Sequence, residues 1–378
     1  MADVDLIVIG AGLSGCGLIA RLRQLGWDGR CAIVEAGRGP GGRTATRRRR
    51  ENPDWLLDHG APAFDFQAPI TSGLSELIAP LINQGVLVQD RCDVVCIEPE
   101  GTLTHLPPEA APEGGWWRGQ PCMASICEQL LRQAEDSKLE QIFQQRIRWI
   151  DRHGGIWTVA NQDRSFQLSG RTLVLSGSLL AHPRSLAMLN WEGVPLRQAD
   201  PRGADPALNE ALDVIAQSKA QVRWNLMLDV PLNSSQLPRQ IWLNAEARSH
   251  WQIERIVLHP QVNGRTGLVV HGLHNGAPIT PETQPNQIEE QTIRLNGALD
   301  SLLNEWPELQ SACRNATQLG VMRWGASQPM DHPLPQHLQW CVESRVGFCG
   351  DYVGGPGFGR AQGALNSAVE LATRIVAE

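Results

Sequence analysis

The chain has 378 residues, 42% hydrophobic and 19% charged, with a formal net charge of −7 at neutral pH. That length holds one large or two interlocked domains with well-buried cores, and the acidic balance argues against a general nucleic-acid surface or adsorption to anionic membranes. No apolar run approaches the ~20 residues of a membrane helix, and nine cysteines without paired C-x-x-C spacing or a leading signal peptide point to reduced thiols, no metal site and a cytoplasmic protein.

Asp5-Leu6-Ile7-Val8-Ile9 is an apolar run of the buried parallel-strand type. Gly10-Ala11-Gly12-Leu13-Ser14-Gly15 follows and opens a helix from Leu13 to about Leu25, closed by Gly26. Gly10 permits a tight turn, Gly12 lets backbone approach a pyrophosphate, and Gly15 lets the helix pack on the strand. The start of that helix offers phosphates free N–H groups and a positive dipole end. A second strand, Arg30 to Val34, delivers Glu35 and then Ala36; a carboxylate there accepts both hydroxyls of an adenosine ribose and disfavours a 2′-phosphate. Strand, glycine turn, helix, strand and acid in register define a dinucleotide site.

The next stretch, Gly39-Pro40-Gly41-Gly42-Arg43-Thr44, narrows the ligand. Together the two motifs resemble the FAD-binding start of the amine-oxidase and renalase superfamily, where the GGR turn runs along the diphosphate and the flavin. The resemblance implies FAD rather than NAD. Arg47 to Arg50 then reads as a solvated loop, or alternatively as a guide for an anionic substrate. Asp58-His59-Gly60-Ala61 is similar to a superfamily segment that returns beside the flavin. Gly60 would admit backbone to the ring, and His59 is either a proton carrier, an anion contact or structural.

Further along, a helix is expected near Leu74 to Gln84, a strand at Val86-Leu87-Val88, and a helix from Met123 to Arg132. Trp116-Trp117 either lines a cavity or fills the core, with core favoured. A hairpin turns at Gly154-Gly155; the resemblance gives Ile147, just before it, a backbone contact with adenine. Thr172 to Ser176 reads as a buried parallel strand ending at a crossing point, where Ser176 joins the cofactor contacts. Val222 to Leu228 and Gly267 to His271 alternate as half-buried antiparallel strands, and Pro281-Glu282 opens a helix running to about Trp306 and ended by Pro307. Val321-Met322-Arg323-Trp324 is a strand returning toward the flavin, and renalases have a similar basic-Trp pair there. Trp324 either stacks near the ring or packs as core.

The chain closes with Gly347-Phe348-Cys349-Gly350-Asp351-Tyr352, the loop Gly354 to Gly359, and a helix from Arg360 to Ala377. This resembles the superfamily's second cofactor signature. By that resemblance Gly350 and Asp351 reach the ribityl chain or a phosphate-bound water, while Gly357, Phe358, Gly359, Arg360 and Gly363 bring a helix N-terminus to the flavin, where its dipole favours hydride acceptance. The fold expected is α/β: a Rossmann-like FAD-binding domain (1–66, 121–185 and 341–378) with an inserted α+β substrate domain on a mainly antiparallel sheet (67–120 and 186–340).

Renalase-like flavoproteins resemble the chain over nearly its whole length. They oxidise dihydronicotinamide isomers, which implies transfer of a hydride to flavin N5, release of NAD⁺ or NADP⁺, and reoxidation by O2 to hydrogen peroxide. The alternative is an amine oxidase or another flavin oxidase or desaturase with a small apolar substrate. Only two of the 33 basic side chains are lysines, Lys138 and Lys219, and the sole tyrosine is Tyr352. The lysine and the cage tyrosine of familiar amine oxidases therefore have no counterpart at their usual places. Dihydronicotinamide oxidation requires no general base, so the catalytic candidates are few: His59, Arg323, Trp324 and Arg360. Cys341 and Cys349 lack the setting of a covalent flavin link, and the FAD is expected to be non-covalent.

Overall fold

A computed structural model describes residues 2–200, 205–277 and 279–378. The expected range 186–340 thus includes five positions, 201–204 and 278, that lie outside the described residues. Strand β1 (Val4–Ile9) leads into helix α1 (Leu13–Gln24) and strand β2 (Cys31–Val34), which pairs with β1 in parallel. Along β1, Leu6 and Val8 enter one core and Ile7 the other, so the strand is buried on both faces and reads as a continuous apolar run. A short ribbon, β3 (Thr46–Arg48) with β4 (Leu56–Asp58), carries the chain away.

Helix α2 (Ser72–Asn83) follows, capped by the Thr71 hydroxyl. It buries Leu74, Leu77, Ile78 and Leu81 in the core that α1 also fills, although the sequence reading set the first domain's boundary at 66. Strands β5 (Leu87–Asp90), β6 (Val94–Ile97), β7 (Leu103–Thr104) and β8 (Trp116–Gly119) come next. β5 pairs with β8, while β6 and β7 join the distant second sheet. Helix α3 (Ala124–Gln133) returns to pack on α1, and β9 (Leu139–Ile142) lies beside β2. A meander of β10 (Ile147–His153), β11 (Ile156–Asn161) and β12 (Gln167–Leu175) ends alongside β1 in parallel.

Three helices follow, α4 (Arg184–Leu189), α5 (Pro195–Ala199) and α6 (Pro206–Gln217), of which α5 and α6 pack into the core on one face of this sheet. Leu196, Leu208, Leu212 and Ile215 share a core with Ile7 and Leu173, so the first domain's packing also reaches past residue 185. The second sheet has the order β17-β13-β16-β15-β14-β6-β7 and is antiparallel except where β14 meets β6. Its strands are β13 (Ala220–Val230), β14 (Gln240–Leu243), β15 (Ile253–Pro260), β16 (Thr266–Gly272) and β17 (Thr317–Pro329). Helix α7 (Ala245–Trp251) joins β14 to β15, and α8 (Gln284–Gly297), α9 (Leu299–Leu302) and α10 (Pro307–Arg314) precede β17.

Two expectations change here. β16 is buried along its whole length rather than half-buried, because helices cover one face and the β3–β4 ribbon the other. The single helix expected from Pro281 to Trp306 is two pieces broken at Ala298, and Pro307 opens α10 at its first position, where a missing N–H costs nothing. β18 (Trp340–Cys341) and β19 (Val346–Phe348) then rejoin the first sheet beside β12, and α11 (Ala361–Val376) packs on α1. All nine cysteines are unpaired. Among the described residues no helix is long and apolar enough to cross a membrane, and no cluster of ligating side chains fits a metal ion.

Candidate functional site

Gly10 turns the chain at the end of β1 with φ +102°, and the Ser176 hydroxyl fastens that turn by donating to the Ile9 and Gly10 carbonyls at 3.0 and 2.7 Å. A Cβ on Gly15 would lie 2.0 Å from the Gly10 carbonyl oxygen, so only glycine lets α1 start this close to β1. The Ser14 hydroxyl donates to the Ser176 carbonyl, tying α1 to β12. Gly12 is the N-cap, and the Cys16 N–H donates to its carbonyl. The N–H groups of Leu13, Ser14 and Gly15 therefore precede the first intrahelical bond and remain for a ligand. Glu35 accepts from the Ala11 N–H at 2.9 Å and the Gly37 N–H at 2.6 Å, and stays partly exposed beside the exposed Ala36. Backbone bonds from Glu35 to Ile142 and Gln145 hold it against the start of β10, where Ile147 is buried.

The second glycine segment folds onto the first. The Gly41 N–H donates to the Ala11 carbonyl at 2.8 Å, and a Cβ on Gly42 would stand 3.1 Å from the Gly12 Cα. Thr44 closes the turn through its hydroxyl to the Gly41 carbonyl. Arg43 then reaches across the molecule, where its guanidinium meets Asp351 in two 2.6 Å hydrogen bonds and donates to the Ser327 carbonyl. Burial alone would lower the Arg43 pKa, but the charge and hydrogen bonds of Asp351 offset it and the value is raised. The Arg43 side chain is 38% exposed, whereas Asp351 is buried.

Beyond Asp351 the loop folds back on the last helix. Gly363 lies against Gly357, where a Cβ would come within 2.1 Å of the Gly357 carbonyl oxygen. The Gly359 N–H donates to the Asp351 carbonyl. Arg360 is the N-cap of α11, so the N–H groups of Ala361, Gln362 and Gly363 precede that helix's first internal bonds. Both oxygens of Asp65 accept from the Arg360 guanidinium, at 2.8 and 2.9 Å, so this candidate's charge is already engaged. Gly10, Gly12, Gly42, Gly357, Phe358 and Gly359 are all at least partly exposed.

His59 and Gly60 form the far wall. The Ala61 N–H donates to the Arg43 carbonyl, and the His59 carbonyl accepts from Asn225 Nδ2 at 2.9 Å and Trp324 Nε1 at 3.2 Å. The His59 ring stacks on Trp324 with centroids 5.4 Å apart. Burial, with the Arg47 charge second, pushes its pKa down to about 4, so it is neutral at pH 7 and offers an anion no charge. Arg323 is elsewhere. Strand alternation turns it to the opposite face of β17 from Trp324, over the Trp224 ring at 5.8 Å and against Met188 Sδ. The arginine run is not a free loop either: Arg47 donates to the Leu319 carbonyl, Arg48 pairs with Glu128, and Arg49 with Asp229.

Residues 8–77 match the family model described as an NAD(P)-binding Rossmann-like domain. No curated protein sequence matches the chain. Solved structures do. A putative protoporphyrinogen oxidase from Exiguobacterium sp. 255-15 superposes with a TM-score of 0.62 at 13% identity over 99% of each chain. Cyclohexylamine oxidase from Brevibacterium oxydans IH-35A gives 0.59 at 14% identity, and putrescine oxidase bound to putrescine 0.60 at 12%, each again over 99% of both chains. These three neighbours are described as oxidases. At such identities the likeness is one of fold: a Rossmann-like domain with a parallel sheet, and a separate antiparallel-rich sheet.

Side chains that the sequence reading passed over complete the site. Asn225 joins Trp324, already a candidate from the sequence, in holding the His59 carbonyl, and Asp65 neutralises Arg360. The alternation of Arg223 and Asn225 with Trp224 and Leu226 carried a signal, since two polar residues on one face of an otherwise apolar strand mark a wall that is not core.

Proposed function

We propose that the chain is an FAD-dependent oxidoreductase with a renalase-like reaction, oxidising isomeric dihydronicotinamide nucleotides and passing the electrons to O2 as hydrogen peroxide. The observation that supports the cofactor assignment is the Arg43–Asp351 pair, which ties the glycine turn packed on Gly12 at the start of α1 to the loop leading into α11. Free N–H groups of Leu13, Ser14 and Gly15 would hold the diphosphate, with Gly41, Gly42, Arg43 and Thr44 along it. Glu35 keeps lone pairs for ribose hydroxyls beyond the two N–H groups it already serves. The backbone of Ile147 would meet adenine, Ser176 and Gly350 would shape the approach, and Asp351 would meet the ribityl chain. Gly60, Ala61, Gly357, Phe358, Gly359 and Gly363 would border the flavin. Bound there, FAD supplies a hydride acceptor at its N5 position.

The protein's own part is orientation. A dihydronicotinamide that loses hydride becomes an aromatic pyridinium, so no side chain has to remove a proton; the donor carbon needs to be held about 3–3.5 Å from its acceptor. A neutral His59 stacked on Trp324 supplies a flat, uncharged wall for that purpose. The positive end of α11 favours negative charge on the nearby ring edge. An amine oxidase is the second reading, supported by the fold of the structural neighbours. Against it, the sole tyrosine is buried and donates to the Leu175 carbonyl, away from any amine cage.

Anaerobic absorbance in the flavin band tests the proposal, after addition of borohydride-reduced NAD⁺, which contains the isomeric dihydronicotinamides. Rapid bleaching by that mixture, with ordinary NADH and a panel of amines inert, is expected. Bleaching by an amine alone would replace the renalase-like reading with the second one.

A further inference from the structure

On the face of the second sheet opposite its helices, a polar row lies beside the apolar Met227, Val269 and Trp242. Cross-strand register sets Asn225 beside His271, His271 beside Arg255, and Arg255 beside Trp242. Arg223 lies next to Trp324 on the neighbouring pair. These residues alternate with Trp224, Leu226, Ile256 and Val270, which enter the helix-side core, so the row faces the other way, toward His59. A bulge between Ile253 and Arg255 sets two residues against one, which brings Glu254 within reach of the same row.

The charges in the row do not balance. Arg223 meets one Glu254 oxygen at 2.7 Å and Arg255 approaches the other at 3.4 Å, two guanidiniums sharing one carboxylate. Burial would raise the Glu254 pKa, but the charges of Arg255 and Arg223 overcome it and hold the value near 2. Arg255 also lies 4.6 Å over the Trp242 ring, which Trp116 of β8 stacks against. Between the arginines and His59, two polar atoms have no hydrogen-bond partner: Asn225 Oδ1 and His271 Nε2, on residues only 3% and 4% exposed. An unmet buried polar atom costs about 1–3 kcal/mol, so a row holding two of them is shaped for something polar.

We propose that Arg223, Arg255 and His271 form a subsite for the acidic group, carboxylate or phosphate, of a planar substrate. The proposal rests on the reading of the cleft as a flavin oxidoreductase site and narrows its substrate to acid-bearing molecules. A cationic amine would face an excess of positive charge, since Arg223 and Arg255 share Glu254 and the neighbouring Glu109 is paired with Arg248. Glu254 sets the strength of the subsite: it fixes the arginine positions and withholds part of their charge.

Isothermal titration of the purified, flavin-loaded protein with benzoate, phenyl phosphate and benzylamine tests this. Binding of benzoate or phenyl phosphate and none of benzylamine is expected, and the tighter of the two acids identifies the group recognised. Arg255→Met should weaken that binding about tenfold or more, the value of a charged hydrogen bond, while Glu254→Gln should tighten it. The opposite signs separate the proposal from misfolding, which would weaken both. Benzylamine binding as well as the acids, unchanged affinity in Arg255→Met, or weaker binding in Glu254→Gln would each overturn it. Flavin content read from the same samples keeps the two readings apart. Protein without flavin that still binds benzoate through Arg255 retains the subsite and loses the cofactor reading; flavin-loaded protein indifferent to both acids does the reverse.

Discussion

Gly363 has no room for a side chain, because the methyl group of an alanine would sit 2.1 Å from the Gly357 carbonyl oxygen. Gly363→Ala must therefore push the glycine loop off the start of α11. A loss of about 1–3 kcal/mol in urea unfolding is expected, the usual range for overpacking, together with loss of the visible flavin band on desalting. Titration gives a second handle. Burial pushes the His259 pKa down to about 3, with the charges of Arg239 and Arg118 and the neighbouring His59 acting in the same direction. The unfolded chain takes up this proton near 6.5, so stability from the neutral ring is complete above that pH and falls as pH drops toward 3. Glu254 adds a later loss: its contribution to stability is complete above 4.5 and gone near 2. Melting temperature should decline from about pH 6.5 downward, and His259→Met should flatten the upper part of that decline; equal slopes would remove His259 as the cause.

Among elements, the seam between α1, α2 and α11 depends on Gly17, where a Cβ would lie 3.2 Å from Leu365 and 3.5 Å from Leu77. Gly17→Val adds two further methyls to that seam and should cost about 1–3 kcal/mol in urea unfolding, with little change in how tightly flavin is held. Elements of this half were readable because several signals agree. A run such as Leu6 to Ile9 can only be a strand buried on both faces, and Gly10, Gly15 and Gly26 punctuate its neighbours. Elsewhere the signals thin out. The apolar spacing of α8 continues through Ala298 into α9, so only tertiary packing reveals the break. Arg323 and Trp324 are adjacent in sequence, and in a strand adjacency means opposite faces; which of them meets His59 depends on the pairing with β13, whose register shifts twice.

For the molecule as a whole, a ligand seated between the helix starts of α1 and α11 would brace elements from both ends of the chain. FAD at one hundred times its dissociation constant should add roughly 2.7 kcal/mol, and a thermal scan of the apoprotein with added FAD should show a matching rise in melting temperature. The glycine motifs announced that cleft in the sequence because a close backbone approach leaves its mark in one residue type. Its opposite wall left no such mark. Arg223, Glu254 and Arg255 become a site only when β13 and β15, on either side of β16, bring them together, and the Glu254 contact needs a bulge as well.

Arg43 and Asp351 are 308 residues apart, and the strand and helix that flank Asp351 are the last two elements of the chain. A ribosome working at ~5–20 residues per second takes about 15–60 s to cover that interval. Through all of it the emerging Arg43 lacks its carboxylate, α1 lacks the helix that covers it, and β12 lacks β19 along its far edge. The glycine loop after β1 is thus made long before the residues that complete its surroundings. A cofactor site that needs both Arg43 and Asp351 would be complete only after Asp351 is made, and a polypeptide stalled short of it is expected to carry the whole glycine motif and bind no flavin.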